Sequence, residues 1–521
     1  MLIYTDQNEK ETLDKMSVSN LMTNVDEIKA NKSSISKVAY REIAPSRNVQ
    51  GTSFPNGEII YRFTVSGNSW WIPAKSYLSL KSKLYSTGTT QPSLDSDMAP
   101  SPNFTACMFS GCAVRVDDRP LGRISAFLPQ IDAIKTRLTR SKAWRDSVGK
   151  STNYWETDFY KRQSSIVSNV VSDPDETKIK RVNVLTGTSV SVAAATGIVT
   201  ATLTTQLHTD FPVGSTMVID GVEYQVITAS DGTHVTVEPS PVVDVAATTD
   251  VYRLLKTYGA VAQKHNIVET VWQPPLGIFD VTTPLPPGNY SIHLTPNTSN
   301  YKNSSFESVS AALTTQNVEV ERMDFMACTV EGDNAPSDFS YYLDLNEIAV
   351  QPKELGSSTS DQVLDFSVAP TTYAMSIATQ HKTAGSSTLY PPTKFTAAGA
   401  ESNLTNLRLT YAGQVQPSPD WSLSRSGNTD HYTKMYLSTL MHSNSYDMDV
   451  IESKKEWLAL GPISHFSFMK PFNDGSTRVD CAVSYSADPS TANLLMFSHY
   501  TNVAQITYRG DRTENVTLSY A

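Results

Sequence analysis

Residues 109–122 read FSGCAVRVDDRPLG, a short strand followed by a turn and the start of another segment. Val114 and Val116 alternate with other residues in the two-residue period of a strand that has one buried face. Asp117 and Asp118 follow the strand directly and could bind a cation. We favour a tight turn at this pair, because a proline and a glycine come within the next four residues.

The same alternation of apolar and polar residues recurs before and after this stretch. Its apolar members are Tyr61, Phe63 and Val65; Leu78, Leu80 and Leu84; Val318, Val320, Met323 and Phe325; Leu343 and Leu345; Leu407, Leu409 and Tyr411; Val479, Cys481, Val483 and Tyr485; and Val516, Leu518 and Tyr520. Most of the gaps hold Pro, Gly, Asn, Asp or Ser, which form turns. Strands and turns that alternate over this length favour antiparallel β-sandwiches over a parallel α/β sheet.

One segment shows a helical period instead. In residues 128–144, Pro129 suits a first helical position, and Ile131, Ile134 and Leu138 fall on one face of a helix. We therefore predict a short amphipathic helix that packs on a sheet.

Residues 186–252 differ from the rest of the chain in composition. They are rich in Thr, Val and Ala, nearly lack Lys and Arg, and contain Asp220-Gly221 between two apolar runs, which is a strong hairpin signal. Asp231-Gly232 repeats that signal. We predict a small β-barrel or sandwich domain that is inserted in a loop of the first large domain.

The composition excludes several classes of protein. Lys and Arg number 42 and Asp and Glu number 52, so the formal net charge is −10, and a surface that coats nucleic acid is a poor candidate. Charged residues make up 18% of the 521, which indicates an ordered globular protein rich in uncharged polar groups. Residues 1–50 are polar, about neutral and lack an Arg-rich run, so we predict an N-terminal arm that does not bind nucleic acid.

The cysteines and the hydropathy pattern limit the setting of the protein. Cys107, Cys112, Cys328 and Cys481 are too few and too scattered for a disulfide framework, and no CxxC pair suggests zinc. The first residues show no secretory signal, and no apolar run is long enough for a transmembrane helix. These features predict free intracellular thiols and a protein that is not secreted.

The sequence contains none of the catalytic motifs considered below in complete form. Gly149-Lys150-Ser151 is similar to the end of a phosphate-binding loop, but Trp144 stands where the first glycine of that loop is needed. Neither a GxSxG elbow nor an HExxH helix occurs, and the histidines do not pair at metal-ligand spacing. The sequence therefore predicts no enzyme, and it indicates no catalytic residue, cofactor or metal.

The order of several segments resembles the double jelly-roll major capsid proteins of virophages, polinton-like viruses and large DNA viruses. The resemblance begins at residues 109–122 and the helix after them, and continues at residues 272–279 (WQPPLGIF) and 284–294 (PLPPGNYSIHL). Residues 407–417 (LRLTYAGQVQP) resemble the opening of the second jelly roll. The insertion at 186–252 lies outside the shared pattern.

The resemblance implies an all-β fold of two jelly-roll sandwiches with a small inserted β-domain and few short helices. The expected divisions are an arm at 1–50, a first roll at 51–354 that is interrupted by the insertion at 186–252, and a second roll at 355–521. Three chains would form a pseudo-hexagonal capsomer, and many capsomers would form the icosahedral shell of a DNA virus. The expected location is therefore the virion, after synthesis in the host cell.

The resemblance also implies the partners. They are other copies of the chain, neighbouring capsomers, penton and minor capsid proteins, and an internal membrane where the virus has one; direct contact with nucleic acid is not expected. Interfaces between subunits are rich in aromatic residues. Our interface candidates are Trp70, Trp71, Trp144 and Trp272, which lie near turns or at the ends of elements.

Two other functions remain open on the sequence. One is a single jelly-roll capsid protein of a small DNA virus, although such chains commonly carry a basic arm. The other is a phage-type tail or receptor-binding protein, or a carbohydrate-binding sandwich, to which the insertion alone could belong.

Overall fold

In a computed structural model, the chain is described over most of its length after residue 36. The described residues are 37–52, 54, 57–85, 87–89, 99–149, 178–182, 189–201, 207, 211, 216–220, 222–229, 233–248, 251–257, 267–307, 314–332, 338–396, 403–418, 421–426, 429–443, 452–468, 477–509 and 512–520. Most of the predicted N-terminal arm lies outside these residues.

The first sandwich, here called the first roll, has two large antiparallel sheets and one two-stranded sheet. Its strands are β1 (Lys37–Ile43), β2 (Ile59–Val65), β3 (Ser69–Trp71), β4 (Tyr77–Tyr85), β5 (Ala99–Pro100), β6 (Phe109–Val116), β7 (Arg119–Ile124) and, after the insertion, β16 (Ile267–Trp272), β17 (Gly288–Pro296), β18 (Phe306–Glu307) and β19 (Asn317–Glu331). One large sheet has the order β1-β19-β4-β16, with β3 also paired to β19, and the other large sheet has the order β2-β17-β6-β7.

The helices of the first roll are short. They are α1 (Leu128–Thr139), α2 (Lys142–Trp144), which continues into a π-helical turn (Arg145–Gly149), and α3 (Tyr301–Ser304). Two single 3₁₀ turns precede β4 and β6, at Pro73–Lys75 and Ala106–Met108, and another follows β16 at Gly277–Asp280. The predicted helix over 128–144 is therefore present, but it breaks at Arg140, whose backbone is extended.

The second sandwich, here called the second roll, repeats this plan. Its elements are β20 (Asp338–Glu354), β21 (Gln362–Ser367), β22 (Thr372–His381), β23 (Leu404–Tyr411), β24 (Gln414–Gln416), β25 (Arg425–Ser426), β26 (Thr429–Asp430), α4 (Thr433–His442), α5 (Lys454–Ala459), β27 (Ile463–Ser467), β28 (Arg478–Tyr485), β29 (Ala492–Arg509) and β30 (Arg512–Tyr520). The sheet orders are β20-β29-β22-β27, with β30 added to β29, and β21-β28-β23-β24.

Strand order identifies both sandwiches. When the eight principal strands of either sandwich are counted along the chain, one sheet has the order 1-8-3-6 and the other has the order 2-7-4-5. This pairing of strands from two Greek keys is the jelly roll. The prediction of two jelly rolls in one all-β chain is confirmed.

The alternation seen in the sequence produces these strands. In β2, Tyr61, Phe63 and Val65 are buried while Arg62 and Thr64 are exposed. In β19 the buried positions change phase between Val320 and Met323, because a β-bulge falls between Val320 and Arg322. Period-two burial therefore persists on both sides of the irregularity.

Residues 109–122 form a hairpin, as predicted. Asp117 and Asp118 join β6 to β7 with φ values of 46° and 64°, and this left-handed pair is the two-residue turn that suits the twist of a hairpin. Ala412 and Gly413 make the same turn between β23 and β24, with φ values of 50° and 74°. Residues 407–417 are thus the fourth and fifth strands of the second roll, and the expectation that they open it was wrong.

The insertion forms a sheet of its own between α2 and β16. Its strands are β8 (Lys178–Val182), β9 (Val190–Val192), β10 (Ile198–Ala201), β11 (Thr216–Ile219), β12 (Val222–Ala229), β13 (His234–Glu238), β14 (Val245–Thr248) and β15 (Val251–Thr257), in the order β14-β9-β10-β13-β12-β11-β15-β8. Asp220 has a φ of 48° in the hairpin of β11 and β12. The Asp231-Gly232 pair lies outside the described residues.

The observed boundaries differ from the predicted ones. The inserted sheet starts at Lys178 and ends at Thr257, beyond residues 186–252 on both sides. β1 pairs with β19, so the first roll begins within the predicted arm. β20 pairs with β29 along its whole length, which places the division between the rolls after residue 331 and before residue 338 instead of at 354. Hydrogen bonding between distant strands decides these divisions, and composition does not reveal it.

Candidate assembly surfaces and the junction between the rolls

Helix α1 lies between the two rolls. Leu128 and Ile131 belong to the core of the first roll, whereas Ala133, Ile134 and Leu138 join a cluster with apolar residues of the second roll. Those second-roll residues are Ala378, Phe395, Ile463, Leu495 and Phe497. The sequence predicts that this helix packs on one sheet. Because both of its faces are buried, α1 instead joins the two rolls.

The long strands of the second roll also enter the first core. Leu343 and Leu345 of β20, with Ala504 and Ile506 of β29, are buried in the same cluster as Trp71 and Trp272. β20 and β29 have 17 and 18 residues, about three times the usual length of a strand. Their extra length reaches across the division and closes the first roll.

A buried ion pair crosses the junction. Arg137 of α1 donates from Nη2 to Oε2 of Glu452 at 2.9 Å, and its Nε lies 2.7 Å from Oε1. The side chains are 2% and 5% exposed. Nη2 also donates to the carbonyl of Gly461 at 3.0 Å. Burial raises the pKa of Glu452, and the guanidinium of Arg137 opposes that rise.

A glycine contact brings the first roll against β20. The Gly277 N–H donates to Oε1 of Glu347 at 3.2 Å, and a Cβ on Gly277 would lie 2.7 Å from the carbonyl oxygen of Asn346. Gly277 belongs to the WQPPLGIF segment, so the close approach of two backbones explains the glycine there. Burial raises the pKa of Glu347 to about 7, which the bond from Gly277 opposes.

Two buried histidines share a serine on the face of the second roll that carries Phe497. Ser376 Oγ lies 2.8 Å from Nδ1 of His465 and 2.8 Å from Nε2 of His499. Burial lowers the pKa of His499 to about 4. Burial also lowers the pKa of His465, and the neighbouring His499 and His442 lower it further. Both rings are therefore held in the neutral form.

The four tryptophans predicted to lie in subunit interfaces fall into two classes. Trp71 and Trp272 are buried in the first core, where Trp272 stacks on Phe109 with ring centroids 5.8 Å apart. Their rings pack inside the chain, so they do not offer contact area to a partner. Trp70 and Trp144 are partly exposed. An interface role stays a prediction for these two.

Other apolar side chains are exposed, and the sequence analysis did not identify them. Val38 and Tyr40 of the edge strand β1 are 54% and 50% exposed, and Val242 beyond β13 is 97% exposed. On α4, Leu437 and Met441 are exposed one turn apart, on a helix whose Met435 and Thr439 are buried. The sequence alone does not reveal this exposure, because it depends on which face of each strand or helix is buried.

The aspartate pair after β6 forms a turn and, within the described residues, shows no metal site. Asp117 Oδ1 accepts from Nδ2 of Asn289 at 2.9 Å, which fits the predicted turn. Among the residues that the structure describes, no group of three or more His, Cys, Asp or Glu side chains could hold a metal ion. Within the same residues, no helix is long and apolar enough to cross a membrane.

Two complete jelly rolls, joined by a shared helix and shared core residues, decide the architecture. The chain is a double jelly roll. Several solved structures are similar to this double jelly roll, and three of them are described here. A structure of the Sputnik virophage has 9% identity and a TM-score of 0.45, and the match covers 93% of this chain and 89% of that chain.

The other two are named as major capsid proteins. That of Faustovirus has 9% identity, a TM-score of 0.45 and coverage of 90% of each chain. That of mavirus has 8% identity and a TM-score of 0.40, with 92% of this chain and 90% of that chain covered. No protein-family model matches the sequence, and no curated protein matches it.

Proposed function

We propose that this double jelly roll is a major capsid protein that assembles as trimeric, pseudo-hexagonal capsomers of an icosahedral virus shell. The observation that supports the proposal most strongly is the repeated 1-8-3-6 and 2-7-4-5 strand order within one chain. Jelly rolls serve as capsid domains, but also as lectins and cupins. Two rolls of one plan, held side by side, give a subunit with two similar lobes, and three such subunits about a threefold axis give six.

The rigidity of the junction supports this use. Domains that move relative to one another have polar, modest interfaces. Here α1 is buried between the rolls, β20 contributes to the first core, and β29 contributes to the cores of both rolls. A tile in a shell needs this fixed geometry, because its neighbours contact both lobes at once.

The alternative functions fit the structure less well. A single jelly-roll capsid protein would have one set of eight strands, whereas this chain has two. A sugar-binding sandwich would present a platform of aromatic rings. Among the described tryptophans, Trp71, Trp272 and Trp457 are buried and Trp421 packs against the second core, so these four do not form such a platform.

The proposed location is the virion, and the proposed partners are other copies of the chain together with penton and minor capsid proteins. The inserted sheet, whose buried residues form a cluster of their own, would be an exposed projection of the capsomer. The chain would not contact nucleic acid directly, in keeping with its charge of −10.

Electron micrographs of the purified full-length protein test the proposal. We expect six-lobed, roughly hexagonal particles. Small spherical shells would support the single jelly-roll type of assembly, and elongated spikes would support a tail or receptor-binding protein. Either of the last two results, or dispersed single chains at micromolar concentration, would overturn the proposal.

A further inference from the structure

The outer face of one sheet of the first roll carries three arginines. Arg62, Ser291 and Arg115 pair across β2, β17 and β6, one residue along from the core residues Phe63, Tyr290 and Val116, and Ser291 is itself buried between the two arginine positions. Two strand spacings separate Arg62 from Arg115, about 10 Å between their Cα atoms. Arg123 lies on the neighbouring strand, paired with Ala113. Within the described part of the chain, Arg62, Arg115 and Arg123 form no ion pair with a carboxylate.

The corresponding face of the second roll carries aspartates. Asp365, Asp480 and Thr410 pair across β21, β28 and β23. Arg478 donates to both carboxylates, to Asp480 at 3.0 Å and to Asp365 at 3.2 Å. The side chains of Asp365 and Asp480 are 62% and 42% exposed, so they remain open to solvent. The group of two carboxylates and one guanidinium keeps a net negative charge.

The two rows occupy the same position in the repeated fold. In each roll, a row of buried residues lies next to the hairpin between the fourth and fifth strands. The charged row is one residue farther from that hairpin. The buried rows are Phe63, Tyr290 and Val116 in the first roll and Phe366, Val479 and Tyr411 in the second. Arg62 therefore corresponds to Asp365, and Arg115 corresponds to Thr410.

We propose that the arginine row of one copy, Arg62 and Arg115, docks against the aspartate row of a second copy, Asp365 and Asp480. The proposal deepens the proposed self-assembly and rests on it. Complementary charge favours this occupant, because like faces would repel each other and the chain as a whole is anionic at −10.

The geometry suits a contact between copies. Two different patches meet, so the contact is heterologous, and repeated heterologous contacts close into rings or extend into arrays. Each row lies on a sheet face, where side chains stand roughly perpendicular to the strands and can meet those of a facing sheet. Arginine can bind a carboxylate through two parallel hydrogen bonds, which adds orientation to the attraction.

Charge reversal in the full-length chain tests the docking. R62E/R115E makes the basic row acidic, and D365R/D480R makes the acidic row basic. In sedimentation velocity, we expect either pair to weaken association of the copies by about tenfold or more, as for close charge pairs at interfaces. The chain with all four substitutions should associate as the wild type does, since complementarity returns with its sign inverted.

Two controls separate docking from folding and from net charge. K37E/K382E changes the net charge by the same amount as R62E/R115E at exposed positions elsewhere, and we expect it to associate normally. Thermal unfolding identifies variants that fail to fold. Should D365R/D480R fail, D365N/D480N removes the same charges with less disturbance and should weaken association as well.

The outcomes distinguish this proposal from the proposed function. A wild-type chain that does not self-associate overturns both. A wild type that forms trimers or larger assemblies, with both reversals associating equally well, overturns the docking alone. The docking is also overturned if the fourfold variant remains as weak as the pairs, or if the reversals change only the binding of an anionic polymer such as heparin.

Discussion

The junction between the rolls and the inserted sheet are opposite ways of adding structure to one chain. At the junction, β29 contributes buried residues to the cores of both rolls, β20 contributes to the first core, and α1 connects the first core with a cluster of second-roll residues. The inserted sheet keeps its buried residues in a separate cluster that includes Val199, Phe211 and Val226. The two rolls should therefore unfold together, whereas the insertion should behave as an independent unit.

Glu452→Gln should break the junction most severely. The substitution leaves the guanidinium of Arg137 buried without a counterion, and removing one partner of a buried pair costs about 3–5 kcal/mol. We expect a loss of that size in the free energy of unfolding, measured in urea at pH 7.5, with both rolls unfolding in one transition.

The matched control is Glu354→Gln, which removes an exposed partner of Lys382. It should cost about 1 kcal/mol or less. Replacing both buried partners, as R137M/E452L, should restore much of the stability lost in Glu452→Gln. Equal effects of the buried and the exposed substitution would contradict the account of the junction.

Glu347→Gln should stabilise the protein in alkaline solution. The folded-state pKa of Glu347 is about 7, above its ordinary value of 4.5, so the fold binds a proton that the unfolded chain releases. Stability is therefore lost as pH rises from about 4.5 to 7, by about 1.4 kcal/mol for each pH unit. The neutral glutamine avoids this loss.

Thermal unfolding at pH 5 and pH 8 measures the difference. The variant and the wild type should be similar at pH 5, and the variant should be more stable at pH 8. A variant that is less stable than the wild type at pH 8 would show that Glu347 is charged and paired in the junction.

His499→Gln tests a dependence of stability on pH that has the opposite sign. The folded-state pKa of His499 is about 4, below its ordinary value of 6.5, so the unfolded chain binds the proton and stability is lost as pH falls between these values. At pH 5 the histidine should cost the wild type about 2 kcal/mol relative to pH 7.5. The change in stability between pH 7.5 and pH 5 should therefore be smaller in the variant.

A control for this pH effect is His431→Gln, because His431 is exposed. Its stability should follow pH as that of the wild type does. A wild-type pH dependence that survives in His499→Gln would assign the effect to other groups.

Removal of the inserted sheet should have the smallest effect. Replacing residues 178–257 with a short Gly-Ser linker leaves the clusters of both rolls intact. We expect the rolls to unfold within about 2 °C of the wild-type midpoint and the capsomer to form, since insertions are tolerated where few contacts cross. Loss of soluble oligomer in size-exclusion chromatography with light scattering would contradict the independence of the insertion.

The sequence predicted local features well and long-range ones poorly. Alternation of apolar residues located the strands, and Asp117-Asp118 and Asp220-Gly221 located hairpins, because these signals depend on neighbouring residues. The predicted division between the rolls was misplaced because β20 pairs with β29, which is distant in the chain. Glu354 and Asn493, which pair at one end of these strands, are 139 residues apart. Trp71 and Trp272 entered the core for the same reason, since their burial depends on strands that are distant in the chain.

The mirrored charge rows could not be read from the sequence at all. Arg62 and Asp365 become comparable only when the register of each sheet places them beside equivalent buried residues. The charge of the whole chain, −10, even suggests an acidic surface throughout. The register of the strands therefore shows a charge pattern that the composition of the chain does not show.

As a two-lobed tile, this chain should associate with copies of itself. Native mass spectrometry of the intact protein measures this association. We predict a dominant species at three times the chain mass of 57.2 kDa. A single chain or a dimer as the dominant species, under conditions in which the protein is folded, would contradict it.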